Sequence, residues 1–262
     1  MTRTKSALLA TAAALAGLTF ATMASAASLV ALVDGKSLVM INPTDWKAAA
    51  PIAISGATDV LGIDVRPADG MLYGLTKAGD IVTIDPASGK ATMKSKLSET
   101  LKDTSALTFD FNPAADRLRI MSTDGTNLRV NVDDGKATVD GSLKYAETDM
   151  HKGEKPNIVA GAYTNSMNGK KPEATALYDI DATISGLIKQ APPNDGVLNA
   201  VGKLGVTVSA PVAFNIVAAD GKNTGWLVSG GTLHQVNLET GKATVTGKLG
   251  VSGMINDIAW WE

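Results

Sequence analysis

Cysteine is absent from the 262-residue chain. No disulfide can brace the fold, and thiolate metal sites and cysteine nucleophiles are excluded. Histidine occurs only as His151 and His234. They lie far apart in sequence, so no imidazole cluster has the ligand spacing that Zn2+ or Cu2+ needs. Aromatic residues make up 5% of the chain, while glycine numbers 26, which implies many tight turns. Neither sign of charge dominates, since 24 basic residues face 26 acidic ones. That balance argues against a dedicated nucleic-acid binder and against a polybasic membrane-surface protein.

Long apolar runs are also missing, apart from one at the start. Arg3 and Lys5 precede an Ala- and Leu-rich stretch from Leu8 to Phe20, and Ala24-Ser25-Ala26 follows. Charge, apolar segment and small residues in that order read as a secretory signal over residues 1–26. The stretch is too short for a transmembrane helix. The expectation is a single mature domain over 27–262, in the periplasm or secreted, with no transmembrane segment.

What is present is a repeat, and it decides the fold before local propensities do. One unit runs Leu61-Gly62-Ile63-Asp64-Val65-Arg66-Pro67, then Met71 to Leu75, then Asp80 to Asp85, then Gly89-Lys90-Ala91-Thr92. The next matches it with Leu107-Thr108-Phe109-Asp110-Phe111-Asn112-Pro113, Arg117 to Met121, Asn127 to Asn131, and Gly135-Lys136-Ala137-Thr138. Gly241-Lys242-Ala243-Thr244 repeats the last phrase. Each unit reads as four short strands, rich in Val, Ile and Thr and punctuated by Gly and Asp turns. First strands begin near Leu61, Leu107, Val159, Val212 and Ile255, about 43–53 residues apart, as propeller blades do. The last unit stops after one strand. Leu29 to Val33, Lys36 to Ile41 and Pro51 to Ile54 supply the three it lacks. The expected fold is an all-β, five-bladed β-propeller whose last blade is closed by N- and C-terminal strands, which leaves no open end to the ring.

The phrases GIDVRPADGMLYGLT, TFDFNPAADRLRIMSTDGTNLRVN, LYDID and PPNDGVLNAVGKLG resemble the bacterial family of unknown function DUF4394, from about Leu29 to Glu262. The resemblance implies an exported, repeated β domain. It implies no activity.

First strands lie nearest the channel, so their polar residues share a narrow space. Aligning the units puts Asp64, Asp110, Tyr163 and Asn215 at one level, with Ala259 in the closing unit and Asp257 two residues before it. These groups suit Ca2+ or ordered water. The carboxylates suit backbone hydrogen bonds equally well. No cofactor is expected, and Ca2+ is an ion that the pattern would suit. The mature arginines are Arg66, Arg117, Arg119 and Arg129. Their planar forks fit either an inter-blade ion network with Asp64, Asp110 and Asp116, or a small anionic pocket. Asn112, beside Pro113, completes the candidate set.

No triad, nucleophile elbow or phosphate loop stands out. The functional expectation is a non-catalytic extracytoplasmic binding or scaffold module recognising a protein, glycan or small anionic ligand. The alternative is a metal-supported hydrolase or lactonase with its site at the channel mouth.

Overall fold

The computed structural model describes residues 27–208 and 210–262. The leader expected over residues 1–26 lies outside the described residues.

Alternating Val, Ile and Leu build short strands in every unit, and turns with positive φ join them. In the closing blade, β1 (Ser28–Val33), β2 (Ser37–Ile41) and β3 (Ile52–Ala53) form a meander. Asp34 and Gly35, at φ 52° and 64°, turn β1 into β2. With Lys36 they form a three-residue hairpin loop between the paired Val33 and Ser37. The second blade holds β4 (Val60–Val65), β5 (Leu72–Thr76), β6 (Asp80–Ile84) and β7 (Ala91–Lys96). The third holds β8 (Leu107–Asn112), β9 (Arg117–Ser122), β10 (Asn127–Val130) and β11 (Ala137–Val139). In the fourth, β12 (Lys144–Tyr145) precedes β13 (Ile158–Tyr163), β14 (Leu177–Asp181), β15 (Gly186–Gln190) and β16 (Val197–Lys203). The fifth holds β17 (Val212–Ala219), β18 (Lys222–Ser229), β19 (Thr232–Val236) and β20 (Ala243–Lys248).

The last strand, β21 (Ile255–Trp261), pairs antiparallel with β1, setting Val30 opposite Ala259 and Leu29 opposite Trp260. The two ends of the sequence share one sheet, as expected. Inner strands pack in ring order: β4 on β8, β8 on β13, β13 on β17, β17 on β21, and β21 on β4. The fold is the five-bladed propeller anticipated from the repeat.

The recurring Gly-Lys-Ala-Thr phrase has a physical origin. Asp85, Asn131 and Asn237 each accept, on the side-chain oxygen, the N–H two residues on, from Ala87, Asp133 and Glu239. Their backbone carbonyls accept the N–H of Gly89, Gly135 and Gly241 at 2.8 Å. These turns start the outermost strand of three blades. In the closing blade Asn42 makes the same turn, but Trp46 takes the left-handed position, at φ 58°. Its ring packs on Trp226 of the fifth blade, with centroids 4.6 Å apart. That contact between adjacent blades offsets backbone strain of about 1–2 kcal/mol. Both tryptophans pack at the edge of one apolar cluster.

The core lies between blades. Val30, Leu32 and Leu38 of the closing blade meet Ile63, Leu72 and Ile84 of the second, all essentially buried. Leu187 of the fourth blade shares a cluster with Phe214 and Leu227 of the fifth. The fourth blade departs from the sequence reading. The polar stretch before β13 contributes β12, which runs parallel to β16 and adds a fifth strand.

Candidate functional site

The first-strand carboxylates act between blades. Asp257 Oδ2 on β21 accepts the N–H of Ile63 on β4 at 2.9 Å. Asp64 Oδ2 on β4 accepts the N–H of Phe111 on β8 at 2.8 Å. Asp110 Oδ1 on β8 accepts the N–H of Tyr163 on β13 at 2.9 Å. Each acid bonds to the inner strand of the next blade. Of the two uses read for these carboxylates, backbone acceptance is the one the structure displays.

All three are buried, and burial raises their proton affinity because it penalises the charged form. Asp64 is pushed up to about 7 by burial, against the pull of the Phe111 N–H. Asp110 stands well above the usual carboxylate range, through burial first and the charge of Asp64 second. Asp257 is raised by burial in the same way. A protonated carboxyl keeps an acceptor oxygen, so the inter-blade bonds survive protonation.

Asp64 also meets Asn215. Asn215 Nδ2 lies 3.5 Å from Asp64 Oδ1, at the long limit of a hydrogen bond. The two residues line a gap of about 20 Å3 with Ser166, Met167, Asn168 and Trp260. That volume admits one water and no organic ligand. Among the described residues no three His, Cys, Asp or Glu side chains gather into a metal-binding group.

Tyr163 does not share the level of Asp64 and Asp110. Its backbone N–H bonds to Asp110 as the N–H of Phe111 bonds to Asp64, so Tyr163 is the counterpart of Phe111, one residue past the level of the acids. Strand pairing agrees: Tyr163 faces Leu177 as Phe111 faces Leu118. Successive side chains of a strand point to opposite faces, so one residue turns the ring away from the acids. The Tyr163 hydroxyl instead accepts Arg119 Nε at 3.1 Å inside the interface of the third and fourth blades.

The arginines form an ion network that uses Asp116, one of the three expected partners, but not Asp64 or Asp110. Arg66 binds Asp116 through two parallel bonds, at 2.8 and 2.6 Å, and also reaches Asp69, Asp133 and the Tyr73 hydroxyl. Arg119, 1% exposed, binds Asp140 at 2.6 Å, Asn127 at 2.8 Å and Asn194 at 2.8 Å. Arg129 takes both oxygens of Asp140. Burial works against the Asp140 carboxylate, yet Arg129 and Arg119 outweigh it and hold the carboxyl below its usual range. Asp64 and Asp110 take no arginine, because backbone N–H groups already occupy them. Arg117 is exposed and donates to the carbonyl of Asp116. Asn112 accepts the N–H groups of Ala114 and Ala115, capping its own turn.

Asp179 escaped the sequence reading. It lies on β14 opposite Gly161 and is fully buried. Neither carboxylate oxygen has a hydrogen-bond partner, nor has the Thr108 hydroxyl nearby. Burial raises its proton affinity well above the ordinary range, and the charge of Arg119 offsets this only in part. A Cβ at residue 161 would collide with Asp179 Oδ1, so any larger residue there must displace that carboxyl. The signal was in the repeat: Leu177-Tyr178-Asp179 stands where the second blade has Leu72-Tyr73-Gly74.

A second region was also missed. Between the fourth and fifth blades lies a cleft of about 620 Å3, walled by Tyr178 and Thr164 on one side and by β18, β19 and the turn into β20 on the other.

The family described as Domain of unknown function (DUF4394) matches residues 28–259. A crystal structure of a protein of unknown function from Bacteroides thetaiotaomicron VPI-5482 superposes with a TM-score of 0.51 at 14% identity, covering 88% of this chain and 63% of that one. A protein of unknown function from Bacteroides caccae gives a TM-score of 0.44 at 12% identity, covering 88% of this chain and 76% of that one. This chain therefore spans less than two thirds of the first of these proteins. No curated protein matches the sequence.

Proposed function

We propose that this chain, which belongs to the DUF4394 family, is a non-catalytic extracytoplasmic binding or scaffold module that presents a ligand surface on a rigid ring. The observation that carries this reading is the engagement of its acids. Asp64, Asp110 and Asp257 each accept a backbone N–H from a neighbouring blade. A glycosidase needs two carboxyl groups facing each other across a substrate-sized cleft. These three face backbone, and the gap at Asp64 holds a water at most. Arg66 and Arg119 are likewise turned inward, towards Asp116 and Asp140.

Export rests on the charged, apolar and small-residue order of residues 1–26. Partners are then extracytoplasmic: a protein, a glycan or a small molecule.

The test is a turnover panel of glycosides, lactones and phosphoesters, run with and without added Ca2+, alongside fractionation of the producing cells. We expect no turnover above buffer, and protein in the periplasm or medium. Turnover that is lost in Asp64→Asn or Asp110→Asn contradicts the reading and favours the metal-supported hydrolase.

A further inference from the structure

The cleft between the fourth and fifth blades contrasts with the junctions around the third blade, where Arg66 and Arg119 bind partners across the interface. Around the cleft, no hydrogen bond or ion pair among the described residues engages the side chains of Tyr178, Thr224, Gln235, Glu239, Lys242 or Thr244. Six free hydrogen-bonding side chains therefore converge on one concavity. Its volume of about 620 Å3 falls within the range of small-molecule sites, about 300–1,000 Å3.

The walls are held in place. Asn223 accepts the N–H of Asn165 at 2.7 Å and returns a bond from Nδ2 to Asn165 Oδ1 at 2.8 Å. This reciprocal pair ties the segment after β13 to the fifth blade at the cleft's edge. Asn237 is fixed by its own turn. The free side chains thus project from backbone that need not reorganise on binding.

The equivalent junction between the closing and second blades is different. There the repeat phrase places Thr83, Lys90 and Thr92 where the fifth blade has Gln235, Lys242 and Thr244. Trp261 and Met71 wall that space, which is about 300 Å3. The fourth blade offers Tyr178 and Thr164 instead, so its cleft is both larger and more polar.

The chemistry of the lining selects the ligand. One Glu and one Lys leave no net charge, and no arginine is present, so a phosphate or carboxylate ligand lacks its usual partner. The backbones of β18 and β19, which carry Thr224 and Gln235, are paired on both sides, so an extended peptide finds no free edge on these two strands. Side-chain hydroxyls and an amide both donate and accept. That dual capacity matches a ligand dense in hydroxyl groups, and the half-buried Tyr178 ring supplies a flat apolar wall for its C–H face. Building on the non-catalytic binding reading, we propose that this cleft binds an uncharged oligosaccharide, with Tyr178 as the platform and Gln235, Thr224 and Thr244 as the hydroxyl-reading groups.

The experiment is an array of neutral, sialylated and sulfated oligosaccharides probed with the purified protein, followed by calorimetric titration of the best neutral binder. The expected result is binding to neutral oligosaccharides, weakened about tenfold or more by Tyr178→Ala and by Gln235→Ala. Gln235 is exposed, so its variant keeps the melting temperature of the parent. Tyr178→Phe, which retains the ring, keeps most of the affinity. Thr83→Ala in the equivalent junction changes nothing. The proposal is overturned if no neutral oligosaccharide binds, if only charged ones bind, or if the Tyr178 and Gln235 variants bind as the parent does. Chromatography of the recovered sugar separates the two levels. Cleaved sugar contradicts the non-catalytic reading, whereas absence of binding removes the sugar and leaves that reading standing.

Discussion

Asp257, on the last strand, accepts the N–H of Ile63, on the first strand of the second blade, at 2.9 Å. Strand pairing between β21 and β1 closes the blade, and this bond then fastens the closed blade to its neighbour. Asp64 and Asp110 repeat the same contact at the next two junctions. Acids at the centre of the ring are therefore part of what holds blade to blade.

Their burial gives stability a pH dependence with a definite sign. Asp64 titrates at about 7 in the folded chain, and Asp110, Asp179 and Asp257 well above the usual range. Unfolded carboxyls titrate near ~4. Above that value the unfolded chain has released protons that the folded chain still holds. The contribution of these groups is therefore complete below about pH 4 and is lost as pH rises, for Asp64 through about 7. Asp140 acts in the opposite sense: its depressed value contributes above about pH 4 and is lost below it. Urea unfolding across pH should give a midpoint that peaks near about pH 4–5 and declines towards about pH 8. Asp64→Asn should flatten that decline. A midpoint rising over the same interval contradicts the assignment.

Asp179 brings a buried carboxyl with no partner. Leu has nearly the same shape without the polar atoms. Asp179→Leu should stabilise the protein at neutral pH by about 1–3 kcal/mol, the cost of an unsatisfied buried polar group. Differential scanning calorimetry reads this as a higher melting temperature. A lower one contradicts the picture of an unpaired acid.

Asp140 is the opposite case. It receives Arg119 and Arg129 together, and Arg119 is 1% exposed. Asp140→Ala should cost about 3–5 kcal/mol, because it leaves a buried guanidinium without its counter-charge. The same change at Asp45, an exposed carboxylate paired with Lys47, should cost under about 1 kcal/mol. Equal losses in urea unfolding contradict the distinction.

The ring was legible because closure is written in the order of strands. One orphan strand at the end and three at the start can complete only each other. The sites were less legible, because they depend on how one blade sits against the next. Hairpin patterns within a unit do not fix that relation. Tyr163 aligns with Asp64 by phrase, yet strand pairing makes it the counterpart of Phe111, one residue on, with its hydroxyl in the blade interface. The arginines were matched to Asp64, Asp110 and Asp116 together, and only the fold gives Asp116 to Arg66 and leaves the other two without an arginine. The cleft between the fourth and fifth blades draws Tyr178 from one unit and Gln235 from the next, and no spacing within either unit links them. Asp179 could have been found, since an acid stands where the second blade has Gly74 and the third Ile120.

The proposal that the channel acids join blades and perform no chemistry is tested by hydrogen exchange at the Tyr163 amide, in Asp110→Ala against Asp110→Asn. Exchange about tenfold faster or more is expected in the Ala variant, which lacks an acceptor, with near-parental protection in the Asn variant, which retains one. Unchanged protection of Tyr163 in Asp110→Ala would contradict it.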